Sequence, residues 1–283
     1  MKPSSRKTGR RAQKLLRAGA AVAAALAVAG AGAGQPTAAE TQAEIERYRA
    51  MLAEDNPAEL YAARGEELWN TPRGPKQAAL AGCDLGLGPG VVAGAYAQTP
   101  RWFADAGRVM DIEARLAWCM ETLQGFSAAD VEARPFGSED HKSDMEALVA
   151  YVVTASRGYP IAPSQKLPQE RAAYALGKSL FALRAGPYDF SCQTCHSQDG
   201  KRIRLQELPN LTRREDVRRA YTGWPAYRVS QGEFRTMQWR INDCFRQQRF
   251  PQPKYLSATV NALITYLAVE ATGATYNGPA MKR

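Results

Sequence analysis

The chain has 283 residues, 45% of them hydrophobic and 23% charged, a globular composition with length for about two domains. Its net charge of +9 does not imply a nucleic-acid partner. Seven basic side chains (Lys2, Arg6, Lys7, Arg10, Arg11, Lys14, Arg17) and no acidic one lie in the first 39 residues, which leaves the rest near +2. What charge remains is unevenly placed: residues 200–249 hold twelve Lys/Arg against five Asp/Glu, a segment suited to guiding an anion.

From Ala18 to Ala39 the chain carries no charge and consists mainly of small apolar residues. A basic start, an apolar middle and a small-residue end read as a secretory signal over 1–39, with Thr37-Ala38-Ala39 as cleavage site and Ala31-Gly32-Ala33 as an earlier option. The run is rich in Ala and Gly and poor in Leu, Ile and Phe, a weak membrane anchor, so no span is expected after cleavage and the protein is expected in the periplasm. Arg10-Arg11 raises the twin-arginine route as an alternative to general secretion.

Beyond residue 40, good helix formers are separated by turns such as Thr71-Pro72-Arg73-Gly74-Pro75 and Gly86-Leu87-Gly88-Pro89-Gly90. Strict alternation is scarce, so an all-α fold without a sheet is expected. Gly158-Tyr159-Pro160-Ile161-Ala162-Pro163 reads as a linker between halves 40–160 and 161–283. The halves repeat three anchors in the same order. Gly65-x-x-Leu68-Trp69 precedes Cys83 as Gly177-x-x-Leu180-Phe181 precedes Cys195. Arg115-x-x-x-Cys119-Met120 matches Arg240-x-x-x-Cys244-Phe245, and Ala147-Leu148-x-x-Tyr151-Val152 matches Ala262-Leu263-x-x-Tyr266-Leu267.

Cys192-Gln193-Thr194-Cys195-His196 is the C-x-x-C-H signature of one covalently bound haem c, with His196 reaching the iron from one side. By the repeat, the first half has Leu80 for Cys192, Cys83 for Cys195 and Asp84 for His196. The expected architecture is therefore two tandem cytochrome c-like domains, the N-terminal one without haem. Haem attachment to an unfolded exported chain favours general secretion.

The sixth ligand has two candidates. Met237 would make a plain electron carrier, whereas Cys244 would supply a thiolate of lower potential. His141 lies in a polar stretch, Ser138 to Lys142, and reads as a surface histidine. Cys244 is favoured because it fills the repeated Arg-x-x-x-Cys position and because a lone exported cysteine needs a partner or a task. Cys83 and Cys119 fall where the first half has lost its haem motif and ligand, and a disulfide between them would tie that region together. On a helix, Arg240 shares a face with Cys244, lowers its thiol pKa, and presents a fork for a sulfonate or a haem propionate. Arg246 and Arg249 would add to the field.

The mature chain resembles the SoxA family, the larger subunits of the SoxAX cytochromes of bacterial sulfur oxidation. The likeness is carried by Thr71-Pro72-Arg73-Gly74-Pro75-Lys76, Cys83-Asp84-Leu85-Gly86-Leu87-Gly88, Arg108-Val109-Met110-Asp111, Trp118-Cys119-Met120-Glu121-Thr122-Leu123-Gln124, the haem motif, and Arg240-Ile241-Asn242-Asp243-Cys244. The resemblance implies a heterodimer with the smaller cytochrome SoxX. It implies an L-cysteine S-thiosulfotransferase that couples thiosulfate to a cysteine of the carrier SoxYZ and passes electrons to haem and then to a soluble cytochrome c. It further implies iron ligation by His196 and by Cys244 as a persulfide, with Arg240 in the active site. Only one C-x-x-C-H is present, as in single-haem members.

Overall fold

The computed structural model describes residues 55–203 and 206–282, with scattered positions between 37 and 51. The predicted signal lies, apart from Thr37 and Ala39, outside the described residues. Residues 1–51 form one unit and residues 52–283 a second, and everything below concerns the second.

In chain order its helices are α1 (Ala58–Asn70), α2 (Ile112–Cys119), α3 (Ala128–Ala133), α4 (Asp144–Thr154), α5 (Pro168–Ala182), α6 (Cys192–His196), α7 (Arg214–Thr222), α8 (Met237–Gln247) and α9 (Ala258–Glu270). Their starts are set by local chemistry. Asp111, Ser127, Ser143, Ser191, Thr236 and Ser257 each accept a hydrogen bond from a first-turn N–H. Pro168 opens α5, where a missing N–H costs nothing. α2 runs on into a π-helical turn, Met120–Gln124, which stops at Gly125 in the left-handed region.

The repeat expected from the sequence is present as a repeat of structure. α1 crosses α4, and α5 crosses α9. Both crossings are made possible by a glycine. A Cβ on Gly65 would lie 2.0 Å from the Ala147 carbonyl oxygen, and one on Gly177 would lie 1.9 Å from that of Ala262. The aromatic neighbours recur too: Trp69 packs on Tyr151 and Phe181 on Tyr266.

The absence of a sheet is corrected by the structure. β1 (Arg101–Phe103) pairs antiparallel with β2 (Arg108–Met110) ahead of α2. At the matching place ahead of α8, β5 (Ala226–Arg228) pairs antiparallel with β6 (Glu233–Arg235) and parallel with β7 (Ala280–Lys282). A minor hairpin joins β3 (Arg202–Ile203) to β4 (Gln206–Glu207). Ladders of two or three residues are too short to show a period-two pattern, which is why the sequence hides them. The fold is helix-rich with small hairpins rather than purely helical.

The halves share one apolar core, in which Leu80, Leu116, Leu148 and Val152 join Phe181, Phe234, Leu263 and Ile264. The linker is part of the seam. Ile161 is 0% exposed, and its N–H donates to the Ala274 carbonyl while its own carbonyl accepts from Gly273. Polar groups cross the same seam. The Gln238 side chain donates to both oxygens of Asp111, at 3.0 and 2.9 Å, and the Gln238 N–H and the Tyr255 hydroxyl donate to Glu113. Arg235 pairs with buried Glu146 at 2.9 Å. Burial raises both Asp111 and Glu113 above the carboxylate range, and pushes Glu146 up to about 7 against the pull of Arg235. Among the described residues no helix is long and apolar enough to cross a membrane.

Candidate functional site

α6 is a single turn held by reciprocal capping. The Ser191 hydroxyl accepts from the Thr194 N–H and the Thr194 hydroxyl from the Ser191 N–H. Such a turn sets Cys192 and Cys195 on one side, and both are free thiols. His196 ends it. Its Nδ1 lies 2.8 Å from the Pro209 carbonyl oxygen. A carbonyl can only accept, so Nδ1 carries the proton and Nε2 presents its lone pair. The Pro209 loop is itself fastened: Asp199 accepts from Asn210 and Arg213, and the Leu211 N–H returns to the His196 carbonyl.

α8 supplies the other wall. Its Thr236 cap accepts from the Trp239 N–H, and Arg240 and Cys244 follow one turn apart. An aromatic platform lies beneath the basic groups, with Arg235 over Trp239, Trp239 stacked on Trp224, and the Arg240 guanidinium 5.8 Å from the Trp224 ring centre. Asp243 accepts from Arg240 at 3.4 Å, from Arg246 at 2.5 Å and from Gln247 at 2.6 Å.

The two walls face each other closely enough for their charges to be coupled. Burial first, then the neighbouring Cys244 and Cys195, push the Cys192 thiol up to about 12. Burial pulls the His196 imidazole below its usual range; the Pro209 carbonyl opposes this and the Arg240 charge adds to it. Burial also raises the Cys244 thiol, and Arg240 works against that rise. The expected lowering of Cys244 by Arg240 therefore acts, but desolvation outweighs it.

The predicted residues Cys192, Cys195, His196, Arg240 and Cys244 thus meet at one place. Met237, the other candidate ligand, is a buried core side chain in the first turn of α8. His141 sits in the loop between α3 and α4, bridged to Ser138. Arg249 lies over Tyr188 and Arg246 is tied to Asp243, so the basic segment is partly spent on local contacts. In the first half, Cys83 and Cys119 form a disulfide with Cα atoms 5.8 Å apart, buried in the core. Asp84, at the position matching His196, accepts from the N–H groups of Gly86 and Gly88 and so closes a turn.

Sequence reasoning missed Pro209, Asp199, Asp243 and the Trp224–Trp239 platform. Asp243 was open to discovery, since it stands three residues from both Arg240 and Arg246 on one helix. Pro209 acts through its backbone, which side-chain spacing does not reveal.

The donor set fits a haem c. Two free thiols sit one turn apart, an imidazole has its Nε2 free, and a sulfur lies on the opposing helix. Among the described residues no three His, Cys, Asp or Glu side chains close on a point as a bare ion requires. Fold and site together define a tandem c-type cytochrome.

Comparison with known proteins gives the same class in finer terms. A family model described as SoxA/TsdA, cytochrome c domain, matches residues 64–161 and 176–275. The chain belongs to that family. The L-cysteine S-thiosulfotransferase subunit SoxA of Hydrogenophilus thermoluteolus is 51% identical over 84% of this chain and 87% of its own length. One from Hydrogenobacter thermophilus is 33% identical over 85% and 88%. The crystal structure of SoxXA from P. pantotrophus superposes with a TM-score of 0.68 at 26% identity, covering 84% of each chain.

Proposed function

We propose that this chain is the larger cytochrome subunit of a thiosulfate-oxidising complex and acts as an L-cysteine S-thiosulfotransferase together with a smaller SoxX-type cytochrome. Support comes from one observation above all: the haem-attachment turn of α6 and the Arg240–Cys244 face of α8 converge in a member of the SoxA/TsdA family. The reading includes export of the protein to the periplasm after loss of residues 1–39, a haem-less domain over 40–160 and a haem domain over 161–283. The sulfur carrier SoxYZ and a soluble cytochrome c are its further partners.

Cys192 and Cys195 would hold one haem c by thioether bonds, and His196 Nε2 and Cys244 Sγ would be the ligands of its iron. When bound, that iron supplies the cation that keeps the Cys244 sulfur deprotonated despite its burial, and the acceptor for released electrons. The chain's own residues do the rest. Arg240, carried on Trp224, binds the sulfonate oxygens of thiosulfate and aims its sulfane sulfur at Cys244. An S–S bond would form between the sulfane sulfur and the deprotonated Cys244 sulfur, and the two electrons released would leave one at a time, reducing two molecules of the soluble cytochrome c. The carrier thiolate then attacks the sulfane sulfur, and the Cys244 sulfur departs with the bonding pair. A persulfide on Cys244 would place the reacting sulfur one atom further out.

Cys244→Ala in the assembled complex tests this. Thiosulfate turnover is expected to vanish while the partner subunit still co-purifies, and the thiolate signature is expected to leave the electron paramagnetic resonance spectrum. Undiminished turnover would return the protein to a plain carrier with His196 and Met237 ligation. Mass spectrometry of the Cys244 peptide reads the persulfide directly.

A further inference from the structure

We propose that Arg228 is a second oxyanion-binding residue of the site, working with Arg240 as a pair of guanidinium forks. The proposal rests on the role given to Arg240 above, and the internal repeat supplies the argument.

The first half shows how this structural unit neutralises its arginine. Arg115 matches Arg240. Its guanidinium lies 4.2 Å from the ring centre of Phe103. Its Nη1 donates to both oxygens of Asp105, at 2.9 and 2.8 Å, and its Nε donates to the Asp84 carbonyl at 2.6 Å. Each face of that cation has a partner, and its side chain is only 4% exposed.

The second half repeats the same hairpin and helix with different contents. In the register of β5 and β6 against β1 and β2, Arg228 stands where Phe103 stands. Ser230 takes the place of Asp105, and His196 that of Asp84. The stacking ring has become a second cation and the carboxylate a hydroxyl. Arg240 is left with the Trp224 ring at 5.8 Å and Asp243 at 3.4 Å, and is 28% exposed. That single carboxylate is already shared with Arg246 and Gln247.

Arg228 itself is half-buried, and its Nε is buried without a hydrogen-bond partner among the described residues. Glu233, opposite it in the hairpin, is engaged by the Tyr61 hydroxyl and by Lys142. Burial, and then the charge of Arg240, hold the Arg228 guanidinium below its ordinary range, as expected of cations that crowd one another. Arg240 and Arg246 share the one carboxylate of Asp243, and Arg228 adds a third charge within reach of Arg240, which leaves positive charge for an oxyanion to balance. A planar or tetrahedral oxyacid group can accept from two forks at once. Two sources have that chemistry, the sulfonate of thiosulfate and a propionate of haem.

The test uses the complete holo-complex with Arg228→Gln, Arg228→Lys and Arg228→Phe, the last restoring the residue that the first half uses. Three quantities are read: the KM and kcat for thiosulfate, the Kd of sulfate by isothermal titration calorimetry, and the haem reduction potential as a function of pH. If sulfonate is the occupant, Arg228→Gln and Arg228→Phe raise KM and the sulfate Kd by about tenfold or more, with kcat and potential held, and Arg228→Lys recovers part of the loss. If propionate is the occupant, KM and Kd hold within about twofold and the potential and its pH dependence shift instead. Arg228→Gln and Arg228→Phe proteins with thermal midpoints like the parent's and no change in any of the three overturn the proposal. The sulfate and potential measurements need no turnover, so they judge Arg228 even if thiosulfate proves not to be the substrate.

Discussion

The glycine at the α5–α9 crossing offers a test in which two ordinary rules predict opposite signs. Gly177→Ala in mid-helix should by intrinsic propensity stabilise the chain by about 1 kcal/mol. The structure predicts the reverse. The new methyl would stand 1.9 Å from the Ala262 carbonyl oxygen, 2.6 Å from its carbon and 2.9 Å from the Tyr266 Cβ. Two of the three obstacles are backbone, so no side chain can swing aside. Ordinary contact needs about 3.5 Å, so the helices would have to part by roughly 1.5 Å. Overpacking costs about 1–3 kcal/mol, and the upper end applies where backbone must move. After the propensity gain, a net loss of about 2 kcal/mol remains, a drop of about 4–8 °C in Tm for a unit of this size. Urea unfolding of the holo-protein, followed by far-ultraviolet circular dichroism, measures it. Gly65→Ala should behave alike, because its methyl would meet the Ala147 carbonyl at 2.0 Å. Gly82→Ala is the control, with nothing within 4 Å and a near-zero effect expected. A Gly177→Ala protein as stable as the parent, or more so, would show that α5 and α9 do not cross this closely.

Breaking the Cys83–Cys119 link by Cys119→Ser should lower stability by about 3–4 kcal/mol, given a span of 36 residues between the partners. Peptide mapping without reduction should recover the two cysteines as one linked species, and either as a free thiol would contradict the pairing. Glu146 titrates near 7 when folded against an ordinary 4.5, so the folded chain binds its proton more tightly than the unfolded one. That contribution is complete below about pH 4.5 and fades as pH rises through about 7. Glu146→Gln should therefore flatten the decline in the urea midpoint between those limits, and an unchanged slope would exclude Glu146 as its source.

The parts of this protein legible in the sequence are those in which chemistry and spacing coincide. The C-x-x-C-H turn, the Arg240–Cys244 pair and the matched positions of Cys83 and Cys119 are side-chain patterns at fixed intervals, and the structure brings the members of each together. The glycines at 65 and 177 stood out as repeat anchors, though their reason, backbone meeting backbone, needs coordinates. The hairpins left no trace because three residues cannot display a period. Arg240 does pull the Cys244 thiol down, as its spacing implies, but the larger rise from burial is not legible, because burial cannot be read from a neighbour four positions away. The buried polar seam joins residues more than a hundred positions apart, such as Asp111 and Gln238, so no local pattern announces it. Arg228 shows its meaning only when one half is laid on the other.

The closed linker bears on how the molecule can be cut. Ile161 is sealed by backbone bonds to residues 273 and 274, and Tyr276 exchanges backbone bonds with Gly158 and Tyr159. A fragment ending or starting near residue 160 would bare those groups together with an apolar wall that neither piece can cover. The second half is thus no detachable cassette. Grafts, truncations and chimaeras have to keep residues 55 to 282 intact and confine their joints to the exposed turns.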